Sequence, residues 1–181
     1  DPLDIDLSRT LFNAVVRDGP GTPVRIGPQD IEVHQTEHLT QAATVLLLDQ
    51  SRPMGMFGIW VAAKKVALAL YWLIRSKFPR DSFHIIGFSD YAMEVRGDDL
   101  PELAWNDWGP GTNMHQALML SRHLLSREKV ATKQILMLTD GEPTAHLEGG
   151  LAYFSSPPPA HATLDATLKE VKLCTQAGIT I

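Results

Sequence analysis

Thr44-Val45-Leu46-Leu47-Leu48-Asp49 decides the fold, because it is an apolar run without polar alternation that ends on a carboxylate. A strand with one wet face alternates; one without alternation is covered on both faces, as in a parallel sheet. Working outward, Phe57 to Phe78 has the length and spacing of a helix that Pro79 stops, and Phe83-His84-Ile85-Ile86-Gly87-Phe88 is a second buried strand. Tyr91 to Val95 returns as a short edge strand, which makes a β-α-β unit with a hairpin attached.

Gln134-Ile135-Leu136-Met137-Leu138-Thr139 is a third buried strand. Before it, Met114, Ala117, Leu118, Leu124 and Leu125 follow helical spacing, with Thr112 or Asn113 placed to cap the first turn. After it, Leu164, Leu168, Val171 and Cys174 are predicted to form one helical face, closed by Gly178. Strands alternating with helices imply an α/β fold: a doubly wound, mostly parallel sheet flanked by helices, with right-handed crossovers. Glu142 to Ala162, with Gly149-Gly150 and Pro157-Pro158-Pro159, is too long for an ordinary strand-to-helix connection and is expected to be an excursion on the rim of Asp140. Gly178-Ile179-Thr180-Ile181 looks like the opening of another strand, so residues 41–181 are expected to form one domain that lacks its C-terminal strands. For residues 1–40 the expectation is an extension packed on that domain. In it Leu11 to Val16 is helix or strand, Gly19-Pro20-Gly21 is a turn, and Ile31-Glu32-Val33 is an exposed strand.

Composition narrows the function. The 181 residues are 44% hydrophobic and 20% charged, as in ordinary globular proteins. A formal charge of -5, with no basic block longer than Lys64-Lys65, argues against nucleic acid. The longest apolar run, Val66 to Ile74, falls short of the ~20 residues that cross a bilayer. Cys174 is the single cysteine and no secretion signal is evident, so the expected location is cytoplasmic.

In open α/β sheets ligands bind beyond the carboxyl ends of the strands, where strand order reverses. Asp49 and Asp140 both stand at such ends, and the Gly111-Thr112 loop can add a hydroxyl. Mg²⁺ is hard and keeps its waters, so serine and threonine hydroxyls with carboxylates acting through water make a reasonable site. Neutral direct ligands leave such a cation free to attract an external carboxylate.

These residues resemble the metal-ion-dependent adhesion site of the von Willebrand factor A (VWA) family, whose pattern is Asp-x-Ser-x-Ser, a loop threonine, and Asp-Gly. Asp49, Ser51, Thr112 in Gly-Thr-Asn, and Asp140-Gly141 match it over roughly Gln41 to Ile181. The resemblance implies that Asp49, Ser51, Thr112 and Asp140 hold Mg²⁺, or Mn²⁺ or Ca²⁺, and that the chain is a non-enzymatic module engaging a partner's carboxylate. Pro53 departs from the pattern, since it stands where the second serine belongs and offers neither a side-chain oxygen nor an N–H. Water is expected to fill that vacancy, so metal binding should be weakened, not abolished. Within the family the chain looks more like the bacterial intracellular branch, which resembles the magnesium chelatase subunit and accessory proteins of MoxR-type AAA+ ATPases. That likeness implies an AAA+ ATPase partner.

Competing motifs are weaker. His34-Gln35-Thr36-Glu37-His38 matches an inverted zinc-protease signature, but that motif needs a helix and the flanking residues alternate like a strand, so a solvated loop is expected. His115 and His146 lie near the metal loops in sequence and are expected to be surface or capping residues; Glu142 is expected to be an exposed turn residue. Trp105, Trp108, Tyr153 and Phe154 suit either packing or an interface rim. An aspartyl phosphatase using Asp49 needs a second Asp where Ser51 stands, and Gly-x-Ser-x-Gly is absent. A metal-free scaffold is the remaining alternative.

Overall fold

A computed structural model of the chain describes residues 5–21, 23–33, 41–106, 109 and 111–181, which fall into two units, Asp1–Leu39 and Thr40–Ile181. In the first unit, α1 (Leu7–Asp18) takes the segment that sequence left as helix or strand. The Asp6 side chain accepts the Arg9 N–H at its start, and Gly19, at φ 81°, ends it. Arg17 reaches the buried Asp30 at 2.5 Å, and Asp30 also accepts the Gly27 N–H at 2.7 Å. Ile5 and Val33 make one antiparallel bridge, so the exposed strand expected at Ile31 to Val33 is reduced to a single pairing.

In the second unit the strands are β1 (Ala42–Asp49), β2 (Ser82–Phe88), β3 (Ala92–Val95), β4 (Thr132–Leu138), β5 (Ala145–Glu148), β6 (Leu151–Phe154) and β7 (Ile179–Thr180). The helices are α2 (Arg52–Met56), α3 (Ile59–Lys77), α4 (Met114–Arg127) and α5 (His161–Gln176). The main sheet runs β3-β2-β1-β4-β7; β1 is parallel to β2 and β4, β4 to β7, and only β3 is antiparallel. The alternation of strands and helices thus gives the mostly parallel α/β sheet expected.

The unbroken apolar run of β1 is explained by its central place. Ala43, Val45 and Leu47 belong to one buried cluster with Ala117, Leu118 and Leu125 of α4, while Leu46 and Leu48 join Trp60, Ala63 and Ala67 of α3 in the other. Strand order reverses between β1 and β4, which places the ends of both at the switch point.

Two expectations are extended and one is corrected. The long helix expected from Phe57 to Phe78 is α3, and a short helix that was not expected, α2, precedes it across Gly58 at φ 71°. The excursion after Asp140 contains the β5-β6 hairpin, turned at Gly149 and Gly150, both at positive φ. The face that α5 buries is Thr163, Thr167, Glu170 and Cys174, and Leu168 is exposed. Polar partners satisfy that face: Arg122 Nε donates to Glu170 at 2.6 Å, and Thr163 Oγ1 meets His146 Nδ1 at 3.0 Å.

Candidate metal centre

Leu48 pairs with Leu138, so the register brings Asp49 and Thr139 side by side one residue further on. Asp49 is fully buried, and its two carboxylate oxygens have separate partners: Oδ1 accepts the Ser51 N–H at 2.8 Å and Oδ2 accepts the Thr139 hydroxyl at 2.6 Å. Burial pushes the Asp49 pKa up, the donors on Thr139 and Ser51 pull it down, and the nearby Asp140 carboxylate adds to the rise. The two carboxylates therefore feel each other. Asp140 is exposed, and its Oδ1 accepts the Glu142 N–H at 3.5 Å.

Ser51 is the N-cap residue of α2, yet its side chain makes no capping bond. Among the described residues, its Oγ is the one buried side-chain polar atom without a hydrogen-bond partner. It lies close enough to Asp49 to favour the carboxylate's charge, but at no hydrogen-bonding geometry. A native structure seldom leaves a buried hydroxyl unpaired without reason. Pro53 sits in the first turn of α2, where a missing N–H costs nothing.

Thr112 belongs to the loop before α4. Asn113, fully buried, is the cap: its Oδ1 accepts the Gln116 N–H at 2.9 Å, and its Nδ2 donates to the Asp90 carbonyl at 2.9 Å. Of the two candidates for the cap, Asn113 takes the task, which releases the Thr112 hydroxyl from it. Thr112 is buried, its N–H donates to Thr144 Oγ1 at 3.0 Å, and its carbonyl accepts the Ala145 N–H at 3.3 Å. Asp90 Oδ1 holds the Gly111 N–H at 2.8 Å. A Cβ on Gly111 would lie 2.8 Å from the Phe154 ring and 2.9 Å from Ala145 Cβ, so glycine is required for the hairpin to close on this loop.

Of the four residues expected on sequence, Asp49, Ser51 and Asp140 stand at the ends of β1 and β4, and Thr112 stands in the loop before α4. Thr139, Thr144, Asn113 and Asp90, which sequence reasoning passed over as ligand supports, hold them in place. Among the described residues no group of three or more His, Cys, Asp or Glu side chains is arranged to hold a metal. The residues fit a hard cation: an orphaned hydroxyl, a second buried residue with a hydroxyl, and two carboxylates.

The histidines are placed differently from expectation. His146 is buried, bonded to Thr163 and packed against Tyr153 with ring centroids 5.1 Å apart. His115 Nδ1 accepts the Leu147 N–H at 3.2 Å, which requires the neutral ring, and burial lowers its pKa. Both therefore hold the hairpin; His146 is buried and His115 partly buried. Glu142 is exposed as expected, and Trp105 packs beneath α2 against Gly55. The His34 to His38 motif and Trp108 lie outside the described residues.

Residues 42–181 match the family described as Rv0959-like protein, vWA domain, and residues 1–36 match its third domain. The uncharacterized proteins Rv0959 of Mycobacterium tuberculosis and Mb0984 of Mycobacterium bovis are each 41% identical to this chain over 169 residues, covering 90% of it and 25% of their own length. The chain thus spans about a quarter of the length of these relatives. Among solved structures, the pilus adhesin SpaC from Lactobacillus rhamnosus GG, in its open conformation, is similar with a TM-score of 0.57 at 15% identity, over 82% of this chain and 24% of that one. Proximal thread matrix protein 1 from the mussel byssus, solved with a zinc-occupied MIDAS motif, is similar with a TM-score of 0.52 at 16% identity, over 78% and 37%. At these identities the likeness is one of fold.

Proposed function

We propose that this chain, which belongs to the Rv0959-like vWA family, is a non-enzymatic protein-binding module that engages a partner's carboxylate through a variant metal-ion-dependent adhesion site. The observation that carries the reading is the buried, unpartnered Ser51 Oγ beside Asp49. Ser51 and Thr112 would bind the cation directly, with Asp49 and Asp140 acting through water. A divalent cation, Mg²⁺ or else Mn²⁺ or Ca²⁺, supplies an electrophilic centre with neutral direct ligands, suited to an external carboxylate. A relative in fold carries zinc at its MIDAS, which supports a divalent ion of some kind.

Asp49 is poorly made for covalent catalysis, because both its oxygens are engaged and it is fully buried. That favours binding over an aspartyl phosphatase. For the partner we retain a MoxR-type AAA+ ATPase in the cytoplasm, on the likeness of Gly141-Glu142-Pro143-Thr144-Ala145-His146 to that branch and the lone Cys174.

The test is affinity capture on the immobilised chain with Mn²⁺ or with EDTA, read by mass spectrometry, beside Thr112→Ala and Ser51→Ala. A specific partner should be retained by wild type with Mn²⁺ and lost in the other three conditions. Capture that survives both EDTA and Thr112→Ala defeats the reading.

A further inference from the structure

The loop after β4 does more than deliver Asp140. Thr139 Oγ1 stands 2.6 Å from Asp49 Oδ2 and also 3.1 Å from the Gly141 N–H. A hydroxyl has one proton, while a backbone N–H can only donate. The Gly141 N–H therefore takes a lone pair of Thr139, and the threonine's proton goes to Asp49. On the other side the Ser51 N–H fills Oδ1 at 2.8 Å. Turning the fully buried Asp49 carboxylate would break bonds on both sides at once.

We infer that Thr139 is a positioning residue of the metal centre: its hydroxyl locks the Asp49 carboxylate against Ser51 and ties it to the loop that carries Asp140. The inference rests on the metal-binding reading above. A merely structural role, in which Thr139 is a β-branched residue ending a strand, makes a different prediction, since valine has the same shape and lacks only the hydroxyl. Supports of this kind typically change metal affinity by about 10- to 100-fold when removed.

The experiment is calorimetric titration of the whole chain with Mn²⁺, for wild type, Thr139→Val, Thr139→Ala and Thr139→Ser. Melting temperature is measured for each with and without Mn²⁺. Thr139→Ser should bind close to wild type, whereas Thr139→Val should bind roughly tenfold or more weakly and lose most of its Mn²⁺-induced rise in melting temperature. Without metal, the melting temperatures of Thr139→Val and Thr139→Ser should agree within a few degrees. Wild-type affinity in Thr139→Val or Thr139→Ala overturns the role of Thr139 and leaves the metal site standing. If the valine and alanine variants fail to fold, Thr139→Ser decides: retained affinity supports the hydroxyl's role, and lost affinity overturns it. A wild-type chain that takes up no Mn²⁺ overturns the metal reading itself, and this inference with it.

Discussion

Pro53 shows how one residue can leave the fold untouched and alter the chemistry. It lies in the first turn of α2, where backbone N–H groups have no helical partner, so the ring costs no hydrogen bond. What it withholds is an oxygen next to Ser51, whose own Oγ is left without a partner. Pro53→Ser should therefore raise Mn²⁺ affinity, by roughly tenfold if the new hydroxyl enters the shell. Equal affinities in a side-by-side calorimetric titration would refute this. The four candidate residues were legible because their types and order make a pattern along the chain. Thr139, Thr144 and Asp90 were not, because their roles depend on hydrogen bonds between loops far apart in sequence.

Among the elements, β1, β2 and β4 could be read from sequence by their apolar runs, although only β1 is buried almost throughout and Leu136 of the expected buried strand β4 is exposed. The hairpin of β5 and β6 was harder, since each strand has only four residues and Gly149-Gly150 was the one turn signal. The face of α5 was misread because burial there does not follow apolarity: Glu170 and Thr163 go inside with Arg122 and His146. A second polar junction, His84, binds β2 to β3 and to the end of α4. Its Nδ1 meets Glu94 at 2.9 Å and its Nε2 meets Glu128 at 3.1 Å. Burial alone would lower the His84 pKa, but the two glutamates outweigh it and raise the value above 6.5, while His84 holds the Glu128 pKa below 4.5. The histidine's contribution is thus complete below its unfolded value and is lost as pH rises through the raised one. The contribution of Glu128 runs the other way and is lost as pH falls through its lowered value. Urea titrations at about pH 6 and about pH 8.5 should show wild type losing stability toward the higher pH and His84→Gln losing less. Parallel losses in the two proteins would remove His84 as the cause.

For the second unit as a whole, the topology separates two ends of one sheet. Asp49 ends β1 and Thr139 and Asp140 follow β4, whereas Ser82 and Glu128 lie at the opposite end beside His84. Because the strands linking these ends are paired along their length, a cation at the first end has little to reorganise at the second. Its effect should instead pass sideways, since Thr112 holds Thr144 and Ala145 at the base of the hairpin, and Phe154 closes on Gly111. A ligand that binds only the folded state suppresses the openings that expose amides around its site, by about 2.7 kcal/mol at a hundredfold excess over Kd. Hydrogen exchange measured with and without Mn²⁺ should therefore slow in peptides covering Asp49–Met54, Gly111–Gln116 and Thr139–Phe154, and stay unchanged around Ser82–His84 and Glu128. Thr144→Val, which removes the oxygen that accepts the Thr112 N–H, should confine the slowing to the first two loops and Thr139–Glu142. Slowing that appears equally at both ends of the sheet, or that reaches the hairpin despite Thr144→Val, would mean that the hairpin is not coupled to the site through Thr144.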